Sequence, residues 1–550
     1  MTKYIAAHPQ VAIVMVCVVL FCLHLNIFPV KIMEARNFVT AREMVSDGHW
    51  LLTTLNGEPR YEKPPLPAWL SAVGAIIAGT QSVPAYRLPI SLMAIFTVLA
   101  FYQLMLSLSK SKEMSLLATL VLATSFYFMA IQREAPVDIF AHGFMVASLY
   151  FLYQLVENIN RTYRHATLAA LFFGLSFLSK GPVAHYAMLL PFVIAYAFSY
   201  PIKNIKQKIL PFILMVLVAT ILSGWWFMWV RVADPDSFTA IVNKETENWS
   251  NYHIRPFYYY WSFFTQSGLW TIPAFVSLLY PYLKDRISNK KLYQFAWLWT
   301  ILAVVLLSLI PEKKPRYLVP VLFPLAITTA LYLDYFLNNL SNPKMKYERA
   351  AFYFHFGLLI ITAFCFPFAT YYFLIDSLPG YWIWYVIASI FSVGMGSYLL
   401  RNLVNGHFRH AFYTSILFYI GLFGLGFPMV KTMYDDKDIL KLKTIASQAA
   451  QNNLPVYSFG ELAPEVVWAF GKTAPTLGNT SIKIPDTPSF GILAKPENES
   501  NLLLHFETTH NLRLIAALDI SKASNVKKTG SSQYLLCNYY ILTKKTMIEN

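Results

Sequence analysis

Charged residues are scarce in this chain. Asp, Glu, Lys and Arg make up 13% of its 550 residues, about half the share found in soluble globular domains. So few charges cannot solvate the surface of a chain of this length, which excludes an ordinary soluble enzyme. Hydrophobic residues at 56% exclude a disordered chain, and only 22 glycines exclude collagen. Aromatic residues at 16% are typical of proteins that place rings at bilayer interfaces, so we expect a polytopic membrane protein.

Cysteine is also scarce. The four cysteines, Cys17, Cys22, Cys365 and Cys537, are scattered along the chain. Their spacing builds neither a zinc motif nor a disulfide framework, so we interpret them as packing residues. Acidic residues are outnumbered, at 29 against 44 Lys and Arg, which gives a net charge of +15. In a soluble chain that charge would indicate nucleic acid binding, so the placement of the charge has to be examined.

Thirteen apolar runs approach the length of a membrane span, which needs about 20 mostly apolar residues. A further run, Leu66–Thr80, is short and follows Pro64 and Pro65, so we expect a re-entrant or interfacial segment there. The predicted fold is therefore mainly α, with about 13 transmembrane helices. The predicted spans are 9–29, 86–108, 114–131, 139–157, 166–179, 183–200, 209–230, 257–283, 293–310, 317–338, 351–375, 381–400 and 410–430.

The basic residues follow the alternation of these spans. If the N-terminus is cytoplasmic, alternate connections hold sixteen basic residues against four acidic ones. The positive-inside rule places these connections in the cytoplasm, so the excess charge is a topology signal and nucleic acid is excluded as a partner. The basic residues are Lys110, Lys112, Arg161, Arg164, Lys203, Lys206, Lys208, Lys284, Arg286, Lys290, Lys291, Lys344, Lys346, Arg349, Arg401 and Arg409.

The opposite side of the membrane receives the long first loop, residues 30–85, and the C-terminal tail. From residue 431 the composition changes, which predicts a membrane domain over 1–430 and a small extracytoplasmic α/β domain over 431–550. A helix is expected over Asp438–Gln451. Alternating, strand-like runs occupy Asn501–Phe506, Arg513–Ile520 and Gln533–Thr543.

The first loop opens with charges that membrane insertion alone does not require. Residues Glu34–Ser46 place Phe38, Ala41 and Val45 at helical spacing, which predicts an amphipathic helix along the interface. For an isolated helix of this kind, the charged residues are best interpreted as a solvated face. These residues are Glu34, Arg36, Arg42 and Glu43.

Two further charges stand at the membrane boundary. Lys63 precedes a proline turn that fixes its ammonium there, and a phosphate ligand and a snorkelling lysine are equal alternatives for it. Asp138 begins a span, where an acid also complements the helix dipole. Taken singly, neither residue establishes a site.

A basic cluster lies on the side that the positive-inside rule should deplete of cations. It consists of Lys313, Lys314 and Arg316, and Lys180 adds another cation at the same face. A bound anion would explain these charges, and a lipid phosphate is the anion available at this depth. The charged residues of this face together therefore indicate a phosphorylated lipid head group.

The first loop resembles that of bacterial aminoarabinose (lipid A) transferases. The resemblance rests on Glu34-Ala-Arg-Asn-Phe-Val-Thr-Ala-Arg-Glu-Met44, on Asn56-Gly57 and on Tyr61-Glu-Lys-Pro-Pro-Leu-Pro-Ala-Trp69, with support from Asp138, Lys180-Gly-Pro182 and Tyr317-Leu-Val-Pro320. These transferases are protein mannosyltransferase-like, polyprenyl-phosphate-dependent glycosyltransferases of the GT-C fold. The resemblance covers residues 1–325 by motif and the remainder by topology.

The resemblance implies an inverting glycosyltransferase of the bacterial inner membrane. Its donor would be a sugar on polyprenyl phosphate, and its acceptor a lipid A-type lipid, a glycolipid or a protein on the extracytoplasmic face. The phosphate would be bound by Lys63, Arg36 and Tyr317, with Lys313, Lys314 and Arg316 as further cations. Apart from membrane lipids and these substrates no partner is implied, and a monomer is expected.

The resemblance also implies an acid near an acceptor or metal site, at Glu62. His253 is the nearest outer-loop candidate for its histidine partner. One Glu and one His are fewer than the ligands of a structural zinc site. No cofactor is therefore assigned, and a divalent metal, Zn²⁺ or Mg²⁺, stays open.

One residue departs from the family pattern. The motif usually begins Asp-Glu, with the Asp as the proposed catalytic acid, whereas this chain has Met33-Glu34. Glu34 takes that role, or Asp138 does, or no general base is needed. The last alternative suits a phosphate or carboxylate acceptor, which is already ionised near pH 7, whereas a hydroxyl must lose a proton as it attacks.

Two other functions compete with a transferase. A transporter or flippase of lipid-linked sugars would also need an anion-binding face, but transporters usually place polar sites near mid-bilayer in paired halves. This sequence gathers its ionisable residues at one face and shows no repeat, which favours the enzyme. A non-catalytic sensor is the weaker alternative, since Lys63 and the basic cluster are retained.

Overall fold

The structure is a computed structural model that describes residues 7–134, 136–201, 204–251, 254–339, 349–375, 378–434, 437–477, 484–521 and 533–545. It contains two compact units. The first comprises Met1–Leu25, Glu62–Pro67 and Arg87–Met429. The second comprises Asn26–Tyr61, Ala68–Tyr86 and Val430–Asn550. The sequence predicts a boundary at residue 430, which assigns the first outer loop to the membrane domain. In the structure, most of that loop belongs to the same unit as the tail.

Long apolar helices build most of the first unit, which confirms a mainly α, multi-pass membrane protein. Eight helices in the described ranges are long and apolar enough to cross a membrane. The count of thirteen spans is not confirmed. The eight helices are Val83–Ser109, Pro136–Glu157, Ile205–Ala233, Lys290–Leu309, Pro315–Asn339, Arg349–Leu374, Trp382–Val404 and Phe408–Met433.

Shorter helices complete the apolar part of the chain. Pro9–Cys22, Leu66–Ala78 and His185–Ser199 are apolar but shorter than a full span. Thr162–Lys180 is a further helix, and Pro235–Asn251 forms a helix between the predicted spans 209–230 and 257–283. Residues 202–203 and 340–348, which carry some of the basic topology signal, lie outside the described residues. The orientation of the termini stays a prediction.

Two predicted spans are broken in the structure. Residues 114–131 form two helices, Lys112–Ala123 and Phe126–Glu134. Residues 257–283 form four short helices: Phe257–Tyr260, Phe263–Ser267, Thr271–Ser277 and Tyr280–Leu283.

The two breaks lie against each other. Ser125 and Gly268 form an isolated β-bridge between them. Gly268 has a φ of 57°, and a Cβ there would stand 2.4 Å from Cβ of Phe126. Only glycine allows this close approach, and a hydropathy count cannot detect it.

The second unit contains the first-loop helix, Ile32–Ser46, followed by a short hairpin of β1 (Thr54–Leu55) and β2 (Glu58–Pro59). Asn56 and Gly57 form the hairpin turn with φ values of 58° and 81°. Positive φ at both positions is the conformation for which Asn-Gly is the preferred dipeptide.

The tail of the second unit is a small α/β fold. Its strands are β3 (Val456–Phe459), β4 (Ser489–Ala494), β5 (His510–Asp519) and β6 (Leu536–Lys544), in the order β3-β4-β6-β5. Strands β3 and β4 are parallel, and the other two pairs are antiparallel. Its helices are Lys437–Gln451, Pro464–Phe470 and Glu499–Phe506.

One predicted strand in the tail is wrong. Asn501–Phe506 lies in the helix Glu499–Phe506, where Leu502 and Phe506 are both fully buried. These residues are four apart and therefore share a helix face, while the intervening Leu504 is exposed. Over six residues, helical and alternating periodicities are hard to separate. The other two runs are confirmed as β5 and β6, and the helix over Asp438–Gln451 is confirmed.

The expected solvated face of the first-loop helix is also wrong. The helix forms as predicted, but Glu34, Arg42 and Glu43 are at most 2% exposed. The Arg42 guanidinium donates to the carbonyl oxygens of Val467 and Trp468, at 3.2 and 3.3 Å. Burial lowers the pKa of Arg42, although Glu43 beside it acts in the opposite direction. This helix is therefore part of the core of the second unit.

The Glu43 carboxylate organises the hairpin turn. It accepts hydrogen bonds from the Thr54 hydroxyl at 2.6 Å and from the backbone N–H groups of Asn56 and Gly57 at 2.7 and 3.3 Å. The Asn56 side-chain amide donates to the carbonyl oxygen of Ala474 and accepts from the backbone N–H of Ala474, both at 2.8 Å. The turn is thereby fixed to the tail.

We expect Glu43→Gln to destabilise the protein by about 2–3 kcal/mol, because a buried charged acceptor of three hydrogen bonds is replaced by a neutral amide. Thermal unfolding of the detergent-purified protein, followed by intrinsic fluorescence, measures this as a lower Tm. Glu58→Gln, an exposed residue of the same hairpin, is the control and should unfold like the wild type. Equal Tm values for Glu43→Gln and Glu58→Gln would contradict the stabilising role of Glu43 in the hairpin turn.

Candidate active site

A buried ion pair lies at the centre of the candidate site in the first unit. Asp138 stands in the first turn of helix Pro136–Glu157 and Lys180 at the end of helix Thr162–Lys180. Lys180 Nζ lies 2.5 Å from Asp138 Oδ1, and the two side chains are only 6% and 1% exposed. Gly181, at a φ of 77°, ends the lysine's helix there. Removing either partner of a buried ion pair strongly destabilises the fold, because the other charge stays buried without its counter-charge.

Among the described residues, Asp138 Oδ2 has no hydrogen-bond donor. A buried carboxylate oxygen without a donor carries a desolvation cost and marks a place where a ligand or water donates. The oxygen is therefore available to a hydroxyl group of a substrate.

The ring of Tyr317 lies next to this pair. Lys180 Nζ is 5.2 Å and the Arg316 guanidinium carbon 5.8 Å from the ring centroid, within the range of cation–π attraction. The Tyr317 hydroxyl donates to Glu312 Oε2 at 3.3 Å. Arg316 and Tyr317 belong to the 3₁₀ turn Pro315–Leu318, which leads into helix Val319–Asn339.

Lys63 is close enough for its charge to act on Lys180. The Lys180 ammonium experiences the positive charges of Arg316 and Lys63 as well as the negative charge of Asp138. We call Lys63, Lys180 and Arg316 the cation cluster. Lys63 itself forms an ion pair with Glu245 of helix Pro235–Asn251, with 3.1 Å between Nζ and Oε2. The cluster therefore carries three positive charges, of which two have carboxylate partners.

The remaining basic residues of the 311–316 stretch are engaged within the protein. Lys313 Nζ donates to the carbonyl oxygens of Ile310 and Arg255 at 2.6 and 3.1 Å, and its burial lowers its pKa. Lys314 forms an ion pair with Glu312. These contacts favour a structural role for Lys313. Arg316, in contrast, has a buried Nε with no hydrogen-bond partner among the described residues.

The predicted metal or acceptor pair is only partly described. Glu62 has a buried Oε2 without a donor in the described part of the chain, while His253 lies outside the described residues. Across the described ranges, no three His, Cys, Asp or Glu side chains come together as a metal site would require. One carboxylate does not fit a metal, so no step is derived through one.

Glu34 and Arg36 belong to the second unit. Glu34 is 1% exposed and accepts from the backbone N–H of Lys31 at 3.5 Å, so it caps the first-loop helix. Arg36 is half-buried, and its charge acts on the carboxyl of Glu465, whose pKa is raised by burial. The roles of Glu34 as catalytic acid and Arg36 as phosphate ligand stay predictions.

Two residues near Asp138 were not proposed as site residues from the sequence. His142 stands one turn further along the same helix, is 1% exposed, and neither of its ring nitrogens has a hydrogen-bond partner among the described residues. Glu134 accepts from the Tyr127 hydroxyl at 3.0 Å, and Asp138 and Arg316 both act electrostatically on that tyrosine. The spacing of Asp138 and His142 by four residues, which places them on one helix face, is the signal that could have found the histidine.

A family model for dolichyl-phosphate-mannose-protein mannosyltransferases matches residues 62–229. An uncharacterized protein of Aquifex aeolicus is 29% identical over 56% of this chain and 59% of its own length. The undecaprenyl phosphate-alpha-4-amino-4-deoxy-L-arabinose arabinosyl transferase 1 of Proteus mirabilis is 24% identical over 60% of each chain. The chain thus spans about three fifths of the length of these curated relatives.

The crystal structure of ArnT from Cupriavidus metallidurans bound to undecaprenyl phosphate is similar to 96% of this chain and to 97% of its own, with a TM-score of 0.71 at 17% identity. The apo structure of that protein gives a TM-score of 0.68 at 16% identity. These comparisons confirm the predicted GT-C fold and the predicted resemblance to aminoarabinose transferases and protein mannosyltransferase-like proteins.

We expect Asp138→Asn to destabilise the protein by about 3–5 kcal/mol, because Lys180 would keep a buried charge without its partner. The Tm of the purified variant measures the loss. The double variant Asp138→Asn/Lys180→Met should recover most of the Tm, since no buried charge remains. Glu113→Gln, which removes one partner of the exposed pair with Arg409, should change stability by less than about 1 kcal/mol. A double variant as unstable as Asp138→Asn would contradict this account.

Proposed function

We propose that this protein is an integral-membrane glycosyltransferase that transfers a sugar from a polyprenyl-phosphate donor to a lipid or protein acceptor. The observation that carries the proposal is the cation cluster in a GT-C fold: Lys180 and Arg316 lie against the ring of Tyr317, and the charge of Lys63 acts on Lys180. An anionic lipid head group is the ligand that such a cluster suits at a membrane boundary.

The reaction is an inverting displacement. An acceptor oxygen forms a bond to the anomeric carbon while the bond from that carbon to the phosphate oxygen breaks. The electron pair goes to the leaving polyprenyl phosphate, whose negative charge grows as it departs. Lys63 and Arg316 stabilise this charge electrostatically, which is commonly the largest contribution to catalysis. The resemblance assigns Arg36 a similar role, which stays a prediction.

Asp138 holds Lys180 in place and keeps one carboxylate oxygen for a substrate hydroxyl. The ion pair with Lys180 already engages the Asp138 carboxylate. With Met33 at the usual Asp position, this supports an acceptor that is already ionised. If the acceptor is a hydroxyl, its proton passes to Asp138 or Glu34.

The cellular setting follows from the resemblance and the charge pattern. The protein resides in a bacterial inner membrane with a cytoplasmic N-terminus and a periplasmic C-terminal domain, and it acts as a monomer. Residues 431–550 form that domain and assist in acceptor selection. The lipid A-type, glycolipid and protein acceptors remain the candidate classes.

We expect Lys63→Ala to abolish sugar transfer and leave the protein inserted and folded, because a half-exposed lysine contributes charge and little packing. Transfer of radiolabelled sugar from undecaprenyl phosphate to membrane acceptors, together with the Tm, measures both effects. Lys290→Ala, at an exposed ion pair, is the control and should keep activity. A fully active Lys63→Ala variant would exclude this lysine from the mechanism. A flippase, in contrast, would move the lipid-linked sugar across the membrane of a vesicle without transferring the sugar to an acceptor.

Acceptor chemistry is tested with acceptors of two kinds. We expect phosphate- or carboxylate-bearing acceptors to be glycosylated faster than hydroxyl-only analogues, because an ionised oxygen needs no general base. Mass spectrometry of the products, and of surface glycolipids and glycoproteins with and without the gene, gives the measurement. Exclusive glycosylation of hydroxyl acceptors would contradict the expectation.

A further inference from the structure

The ion pair of Lys63 with Glu245 is the starting point. The lysine proposed to bind the donor phosphate holds the carboxylate of Glu245 at 3.1 Å in a charge-assisted hydrogen bond. A carboxylate and a phosphate present similar anionic oxygens to an ammonium. Glu245 therefore accepts from one of the three N–H groups of the Lys63 ammonium, which a phosphate oxygen of the sugar donor would also use.

This contact is exchangeable, unlike the pair at the centre of the site. Lys63 and Glu245 are 32% and 34% exposed, whereas Lys180 and Asp138 are 6% and 1% exposed. Ion pairs that remain in contact with water contribute little stability, while separating a buried pair is strongly unfavourable. A negatively charged ligand can thus displace Glu245 from Lys63 but not Asp138 from Lys180.

The helix that carries Glu245 is held weakly. Along Pro235–Asn251, no side chain is buried among those described, which run from 235 to 247. Its N-terminus is capped by Asp234 Oδ1, which accepts from the Ser237 N–H at 3.3 Å. With so little apolar burial, few interactions oppose the release of Glu245 from Lys63.

We propose that Glu245 competes with the donor phosphate for Lys63. Before the donor binds, Glu245 neutralises the lysine, and the phosphate takes its place on binding. After transfer, the product is a phosphate monoester with more negative charge than the donor diester. Return of Glu245 to Lys63 then promotes product release. This inference rests on the proposed function and assigns a positioning residue to the same site.

The test is binding of undecaprenyl phosphate to the full chain in phosphatidylcholine nanodiscs. We expect Glu245→Gln to bind about two- to fivefold more tightly than the wild type, the factor corresponding to loss of an exposed ion pair. Glu247→Gln, an exposed acid on the same helix, removes the same charge and should bind like the wild type. In transfer assays, Glu245→Gln should show a lower KM for the donor and stronger inhibition by the product.

The double variant Lys63→Gln/Glu245→Gln distinguishes competition at Lys63 from a general effect of removing one negative charge. In a Lys63→Gln background, Glu245→Gln should leave the affinity unchanged. Equal or weaker binding by Glu245→Gln alone, or the same gain without Lys63, would overturn the inference. Unchanged binding by Lys63→Gln alone would instead overturn the proposed function, so the two failures are separable.

Discussion

The buried ion pair of Asp138 and Lys180 is the interaction on which the candidate site depends. It joins the first turn of one long helix to the last residue of another, and it holds a positive charge 5.2 Å from the ring centroid of Tyr317. An ammonium this deeply buried needs its carboxylate. This pair forms the rigid part of the site. Lys63, which is more exposed, and the guanidinium of Arg316 form the part that can exchange partners when a ligand binds.

A similar use of buried polar groups organises the second unit. Glu43 satisfies the donors of a two-residue turn, and Arg42 binds carbonyl oxygens at the end of helix Pro464–Phe470. The ring of Trp468 packs against Phe38 and Tyr86, with centroids 5.4 and 5.0 Å apart. These contacts give the charged residues of the first-loop helix buried partners, in a stretch whose sequence resembles an amphipathic surface helix.

Much of the candidate site could be predicted from the sequence. Lys63, Asp138, Lys180 and the stretch around Tyr317 stand out because charges are rare in an apolar chain and need a reason at a membrane boundary. The grouping of Lys63, Lys180 and Arg316 agrees with that reasoning. The sequence could not distinguish the role of Lys313 from those of Lys314 and Arg316. Only the structure shows that the Lys313 ammonium donates to the carbonyl oxygens of Ile310 and Arg255.

The sequence by itself determined that the chain spans a membrane, that it is mainly helical and that it ends in an α/β tail, because composition and periodicity are properties of the chain alone. The tertiary structure decided what depends on contacts between distant residues. Helix breaks at Gly268 and Ser125 require close approach of two segments, and the burial of Glu43 requires the hairpin it binds. The pairing of Lys63 with Glu245, 182 residues away, likewise exists only once the fold brings opposite charges together.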